Sequence, residues 1–494
     1  MEDFHRNNFI MIIDKTLSSF LKSILPLAIM FFSKNLQSIN VFQKLLIMLG
    51  IFLLIVIYQV IKWYKNLYCI HDNVIMIKEG IIFIKRKEIP FNKIQTVDIS
   101  QGIKHRIFGL AQVKVDTGNS SLKKEELSFL LKKIEAENLK ENIFNTNNRN
   151  TQTLSSDEVK VENEESYKTD KHIVQAKEFK VSTRELILSA ITSNAVFTGV
   201  LFLASAFPFI DDYLKDFLDN TFSKASFFIE NINFDEMSVG SIVLWIILIL
   251  VICIVVSLII AIITTIIKFH GFSVKRENDN LIINYGLLEK KNYIMPIKKI
   301  SAIYLKQNII KQMFKFRAIH IETVGYGNEK GESSILYPLT IGSKYSELIQ
   351  GLLPEYKFDE MMTKVPKRAL GRFLSMKFIV TFIISIVLTI NFKYGYICFL
   401  SVPFFTLLGY LQYKNSAIGK SSDLLCISNN SFTKVTSIIP INKIQSIVTE
   451  NNYFQKRKML FNLEVSIQGN NLGTAIKIKN LSLELRDELE LLLT

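Results

Sequence analysis

Three stretches of the chain repeat one another: "IPFNKIQTV" at 89–97, "MPIKKISAI" at 295–303 and "IPINKIQSI" at 439–447. Anchored on Pro90, Pro296 and Pro440, they align without a gap as far as the apolar pairs Val113/Val115, Ile319/Ile321 and Leu463/Val465. Lys93, Lys299 and Lys443 coincide, as do Ile94, Ile300 and Ile444, and Gln101, Gln307 and Asn451 share a polar position. Ten residues before each proline stand Gly80, Gly286 and Asn430, residue types that tolerate a left-handed backbone in a turn. A register kept this long means one supersecondary unit used three times, so the fold must be modular.

The segments between the repeats are too apolar for a soluble chain. Hydrophobic residues make up 49% of the sequence, and 37 residues are Phe. "SIVLWIILILVICIVVSLIIAIITTII", 241–267, carries no charge. As a helix it is about 40 Å long, more than a bilayer core of about 30 Å requires. Further candidate spans are Leu45–Ile61, Leu186–Ile210, Phe378–Phe392 and Tyr394–Tyr413. Leu17–Phe32 is counted with them although Lys22 and Pro26 interrupt it, because a lysine can snorkel to the interface. Glu2, Asp3 and Asp14 spoil a basic n-region, so this segment is expected to be a span and not a signal peptide. About six spans, arranged as three hairpins, thus alternate with three soluble repeats.

Lysine and arginine near span ends mark the cytoplasmic side. "KVPKRALGRFLSMK", before the fifth span, holds Lys364, Lys367, Arg368, Arg372 and Lys377 without an acid. Lys62 and Lys65 follow the second span, and Lys268, Lys275 and Arg276 follow the fourth. The loop from Pro208 to Gly240 instead has seven acidic residues against Lys215 and Lys224. Both termini and all three repeats are therefore expected in the cytoplasm of a multi-pass cell-membrane protein. The net charge of +14 suits an anionic inner leaflet, although the positive-inside rule alone accounts for much of it. Cys69, Cys253, Cys398 and Cys426 are scattered, without metal-ligand spacing, and a cytoplasmic site argues against disulfides.

The repeats are strand-rich. "LIINYGLLEKKNYIMP" reads as a hairpin, and "AIHIET", "LEVSI" and "AIKIKNL" alternate as half-buried antiparallel strands do. The proline ends a strand, where its missing N–H costs least. Each repeat closes with a helical segment, expected at Ser121–Ile134, Ser343–Leu353 and Leu481–Leu493. The first repeat passes from "QVKVDT" through "GNSSLKK" to its helix, so its sheet is expected to be short by one strand. Glu141–Lys171 reads as a disordered polar linker, or as the source of a borrowed strand from "DEVKVEN".

Glycine, then Pro-x-x-Lys-Ile, a basic loop, a paired-apolar strand and a closing helix resemble the bacterial pleckstrin-homology (PH) domain of the second type. Three such domains joined to membrane hairpins resemble the YdbT-like family of bacterial membrane proteins. The resemblance covers nearly the whole chain. It implies a membrane α plus β architecture in which three helical hairpins alternate with three PH-like domains. Each domain would be a seven-stranded, bent antiparallel sheet capped by a C-terminal helix. It does not imply an enzyme, and members of the family are often found with a smaller membrane protein bearing one PH-like domain. Some members are linked to envelope stress and bacteriocin resistance. The expected division is a first hairpin at 1–66, a first domain at 67–140, a linker at 141–178 and a second hairpin at 179–269. A second domain at 270–357, a third hairpin at 358–414 and a third domain at 415–494 follow.

No catalytic constellation is legible. The histidines at 5, 71, 105, 172, 270 and 320 have no metal-ligand spacing, and no cofactor or nucleic-acid partner is expected. "GYGNEKG" lies between strands and reads as a hairpin turn instead of a phosphate cradle. Asp211, Asp212 and Asp216 read either as a solvated outer loop or as a divalent-cation site. Asn194, beside Thr192 and Ser193, is the most polar spot within a span and is expected to make a helix–helix contact.

The positional candidates are basic. Lys104, His105 and Arg106, then Lys311, Lys315 and Arg317, then Lys456, Arg457 and Lys458 occupy the same part of each repeat. They are candidate contacts for anionic lipid or for a partner, at about 1 kcal/mol of attraction per basic residue near the surface; a merely solvated loop is the alternative. Lys93, Lys299 and Lys443 read as structural, with stems along the sheet and ammonium groups in water. The function expected from all this is a non-enzymatic membrane scaffold. The alternative is a transporter or lipid-handling protein built on the spans.

Overall fold

The computed structural model describes residues 4–32, 41–81, 83–94, 96–116, 127–153, 177–202, 239–323, 335–392, 395–430, 432–467 and 474–490. The first module comprises β1 (His5–Arg6), helices α1 (Ile10–Phe32) and α2 (Val41–Lys65), then β2 (Leu67–His71), β3 (Val74–Glu79), β4 (Lys85–Pro90) and β5 (Thr96–Gln101). A short helix α3 (Ile103–Ile107), β6 (Leu110–Asp116), β7 (Leu127–Lys132) and α4 (Lys133–Thr153) complete it. The second comprises β8 (Phe179–Lys180), α5 (Thr183–Ile191), α6 (Asn194–Phe202) and α7 (Val239–Phe269). Then come β9 (Ser273–Glu277), β10 (Asn280–Tyr285), β11 (Lys290–Pro296), β12 (Ile300–Asn308), α8 (Ile309–Met313), β13 (Arg317–Thr323), β14 (Ile335–Thr340) and α9 (Gly342–Leu352). The third comprises β15 (Thr363–Lys364), α10 (Leu370–Asn391), α11 (Ser401–Asn415), β16 (Ala417–Lys420), β17 (Leu424–Asn430), β18 (Thr433–Pro440) and β19 (Ile444–Glu450). It ends with α12 (Tyr453–Arg457), β20 (Leu460–Ile467), β21 (Thr474–Ser482) and α13 (Arg486–Glu490).

Each module begins with a two-residue strand ahead of its hairpin, which pairs with the first strand after it. His5 lies opposite Tyr68, Phe179 opposite Val274, and Thr363 opposite Ile418. Both ends of every hairpin are thereby tied to the sheet that follows. Among the described residues four helices, α2, α7, α10 and the helix ending at Asn415, are long and apolar enough to cross a membrane. The pair α5–α6, bent by 52°, is long and apolar enough to make a fifth if it is one broken span. The bend falls at Thr192–Ser193, and a capping box between Ser182 and Glu185 starts the span. α1 runs unbroken through Pro26.

The prolines end β4, β11 and β18, and a single 3-10 turn carrying Lys93, Lys299 or Lys443 follows each. A proline here sacrifices no ladder bond, because the strand stops. Gly80 and Gly286 have φ of 126° and 110°, where a side chain would be strained. Asn430 differs: it is the last residue of β17, opposite Lys434 in the sheet.

The chain forms two compact units, 1–175 with 288–296 and 176–287 with 297–494. In the first, β1–β4 make one antiparallel sheet, and β7, β6, β5 and β11 pair in that order. Ile75, Ile77, Phe91, Val97, Val113, Phe129 and Leu139 of β3, β5, β6, β7, α4 and the 3-10 turn share one core. Two expectations are corrected here. Residues 127–132 are a strand, β7, and the helix starts only at Lys133, so the first repeat is not short of a strand. "LSFLLK" fits a strand because Leu130 is buried as well as Phe129 and Leu131, so the segment is covered on both faces. The polar stretch from Glu141 continues α4 as far as Thr153, whereas "DEVKVEN" lies outside the described residues.

In the second unit β14, β13, β12, β18, β17, β16 and β15 form a seven-stranded sheet. It joins the last three strands of the second repeat to the first four of the third module. The seam is β12–β18, with Ile303 opposite Ile438 and Lys306 opposite Val435. β19, β20 and β21 form a separate sheet. Its buried face, with Leu463, Val465 and Ile478, closes on Leu425, Ile427 and Ile439 across the third domain's core, and Leu489 of α13 plugs it. The closing helix α9 packs Leu348, Ile349 and Leu352 inward. Residues 324–334, with "GYGNEKG", and the loop of Asp211, Asp212 and Asp216 lie outside the described residues.

Candidate membrane-facing site

The basic loops are short helices, α3, α8 and α12. Each is held at its base by local chemistry. Gln101 donates its side-chain amide to the Leu110 carbonyl at 2.9 Å, and Gln307 donates to that of Phe316 at 2.8 Å. Asn308 caps α8 by accepting from Lys311 N at 2.8 Å. Asn452 and Gln455 cap α12 reciprocally at 2.9 and 3.1 Å. The turn after each helix is left-handed at the same repeat position, at Gly109, Lys315 and Met459, with φ of 64°, 56° and 53°.

Each short helix is also keyed to the first helix of its own hairpin. His105 Nε2 lies 2.5 Å from Asp14 Oδ2, and Lys104 donates to Asp14 Oδ1 at 2.8 Å. The hydrogen bond from His105, aided by Lys104, holds the Asp14 carboxyl at about 2 despite burial that works the other way. Asn308 donates to the Thr192 carbonyl and, at 2.9 Å, to Asn194 Oδ1. Asn194 thus serves a contact between span and sheet domain, and not the helix–helix contact expected of it. Arg372 of α10 donates to Asn480 Oδ1 at 3.2 Å and to Asn452 Oδ1 at 3.5 Å.

The three clusters differ in what remains on the surface. His105 is only 8% exposed. Lys311 is 9% exposed, and burial pushes its ammonium down to about 8, so it is not presented to a headgroup. α8 is further tied down where Asn415, at the end of α11, donates to Gln312 Oε1 at 2.9 Å. Arg317 stacks 5.2 Å from the centroid of Tyr345. In contrast Lys456, Arg457 and Lys458 are all exposed. Lys299 is half-buried and shifted down by burial and by the neighbouring Lys443 charge, while Lys443 donates to the Lys298 carbonyl at 2.8 Å.

Sequence reasoning missed the apolar half of these sites. Ile103 and Ile107 are exposed on α3, with Phe108 just after it, and Ile309, Ile310 and Met313 on α8, with Phe314 just after it. Tyr453 and Phe454, on α12, are 75% and 68% exposed. Large apolar residues bare to water beside lysines and arginines match what an interfacial helix presents to a bilayer. The signal was present as apolar residues flanking each basic cluster.

A cavity of ≈ 720 Å³ opens between α10, α11 and the third domain. Arg372, Lys377 and Lys479 line its polar end, over Gln455, which donates to Asn462 and Asn480 at 2.7 and 2.9 Å. Met376, Ile384 and Phe405 line the apolar end. Such a cleft suits an amphiphile with an anionic head. No group of three metal-ligating side chains lies together among the described residues.

Helical hairpins alternating with two-sheet β-domains define a multi-pass membrane protein with three PH-type domains. The chain belongs to the bacterial PH domain family, which matches residues 24–146, 226–342 and 368–493. It is similar to the UPF0699 transmembrane protein YdbT of Bacillus subtilis (strain 168), at 27% identity over 444 residues, 89% of this chain and 87% of that one. No solved structure matches it.

Proposed function

We propose that this protein is a non-enzymatic membrane scaffold whose PH-like domains lie against the cytoplasmic leaflet. The observation that carries this is α12, where exposed Tyr453 and Phe454 adjoin exposed Lys456, Arg457 and Lys458 on a helix keyed to the α10 hairpin. Aromatic rings enter the headgroup zone while the cations meet anionic lipid. In this reading both termini and all three domains are on the cytoplasmic side, which the excess of lysine and arginine at the start of α10 supports. The scaffold's protein partner is a smaller membrane protein with one PH-like domain, and its physiological setting is envelope defence. Both of these rest on the resemblance.

The test is Phe454→Trp in the full chain, reconstituted in vesicles containing brominated lipid. Emission beyond that of wild type should be quenched, and quenched more when the vesicles contain phosphatidylglycerol. Unquenched emission in both would refute the membrane-facing reading.

The ≈ 720 Å³ cleft favours a second reading, lipid handling at the third hairpin. Purification followed by lipid mass spectrometry would then show an anionic phospholipid retained by wild type and lost in Arg372→Ala.

A further inference from the structure

The two seams between neighbouring repeats use one register. Counting from the repeat's proline, position +7 of one repeat faces position −2 of the next. Val97 thus lies opposite Ile294, and Ile303 opposite Ile438. Position +10 faces −5 in both, with Ser100 opposite Lys291 and Lys306 opposite Val435. The rule leaves two strands over. β19, which supplies +7 to +10 in the third repeat, is the last strand of its sheet among the described residues, and so is β4, which supplies −2 to −5 in the first.

We propose that these two edges form an interface between copies of this chain, with β19 of one copy taking up β4 of the next in the register of the two built seams. Ile447 would then face Glu88, Val448 would face Lys87, and Glu450 would face Lys85. The last is an opposite-charge pair across the strands, which favours the register. Strand addition also covers apolar surface now bare: Val448 is 42% exposed, and Phe83, just ahead of β4, is 82% exposed.

The competing account is that Lys85, Arg86 and Lys87 blunt an edge to keep it alone. The built seams answer it. Lys291 of β11 occupies the repeat position of Lys85 and pairs with Ser100 all the same. One position further from the proline, Lys290 lies opposite Gln101 and Lys434 opposite Gln307. Basic residues at these positions are compatible with this junction. β19, moreover, carries no lysine or arginine. An exposed row of backbone donors and acceptors is a template for another strand. Because the two edges differ, the contact is heterologous, and copies build either a closed ring or an open chain in the membrane plane. The proposal does not depend on lipid contact at α12, nor on a smaller partner.

The experiment uses the full chain with its four cysteines replaced, co-expressed as two differently tagged copies. One carries Val448→Cys and the other Lys87→Cys; after mild oxidation in native membranes they should join as a disulfide-linked pair. Val448→Cys with Lys85→Cys, two residues out of register, should yield far less. Glu450→Lys should lower the in-register yield on the order of fivefold, and adding Lys85→Glu to the other copy should restore it. No linked pair, equal yields in both registers, or a Val448→Cys copy that links only to a different protein would each overturn the proposal. A retained melting temperature in each variant separates these results from misfolding.

Discussion

Asn308 donates its side-chain amide to Asn194 Oδ1 at 2.9 Å, while its own oxygen caps α8 by accepting from Lys311 N at 2.8 Å. One side chain thus both starts a helix of the second domain and holds the bend between α5 and α6. The two tasks separate by substitution. Asn308→Asp keeps the cap but loses the donor, whereas Asn308→Ala loses both. Melting of the purified protein in mild detergent should rank wild type above Asn308→Asp above Asn308→Ala, with the cap worth about 1 kcal/mol. Equal loss in the two variants would mean the cap contributes nothing.

The Asp14 contact to His105 and Lys104 sets a pH dependence. A carboxyl held below its unfolded value contributes stability above about pH 4, and this is lost as pH falls through about 2. At pH 7 Asp14→Asn should melt lower than wild type by about 1 kcal/mol, the group being partly exposed. The gap should close as pH falls from 4 toward 2. A gap that persists at the acid end would contradict the assignment.

Lys311 gives a slope of the same sign at alkaline pH, although its burial destabilises the fold at pH 7. Burial lowers its ammonium to about 8, so between 8 and about 10.4 the unfolded chain binds more protons than the folded one. Wild-type stability should therefore rise with pH across that window, and the burial penalty should be complete below it. Lys311→Met should stabilise at pH 7 on the order of 2 kcal/mol, with the gain shrinking toward pH 10. Chemical unfolding at the two pH values reads this directly.

Close helix approach should make two glycines sensitive. A Cβ at Gly199 would meet Ser257 Oγ at 2.8 Å, and one at Gly409 would meet the Phe373 carbonyl oxygen at 2.6 Å. The first obstacle is a removable side-chain atom and the second is backbone. Gly199→Ala should cost about 1–3 kcal/mol and be partly rescued by Ser257→Ala, while Gly409→Ala should cost at least as much. No side-chain truncation should rescue Gly409→Ala. Melting temperatures of the three variants decide it.

Much of the architecture was legible because it is periodic. Pro90, Pro296 and Pro440 mark strand ends, the apolar pairs alternate, and 241–267 lies within one long helix. What escaped has no local signature. β1, β8 and β15 are two residues long, too short for alternation to register. The strand β7 reads as helix in the sequence because "LSFLL" is apolar on both faces, where period two and period 3.6 are hard to distinguish. The tie of His105 to Asp14 spans 91 residues of sequence, and the β12–β18 seam spans more than 100. The basic clusters were found by position, but which cations stay on the surface depends on hairpin residues such as Asp14 and Asn415 that only the fold brings near.

Neighbouring repeats are fused edge to edge in one register. The most direct measurement is disulfide formation within one chain, in native membranes and with the four native cysteines replaced. Lys306→Cys with Val435→Cys should cross-link readily, because those residues lie opposite one another. Lys306→Cys with Ser437→Cys, displaced by two residues, should not. Cross-linking of the displaced pair, or of neither pair, would contradict the fused sheet.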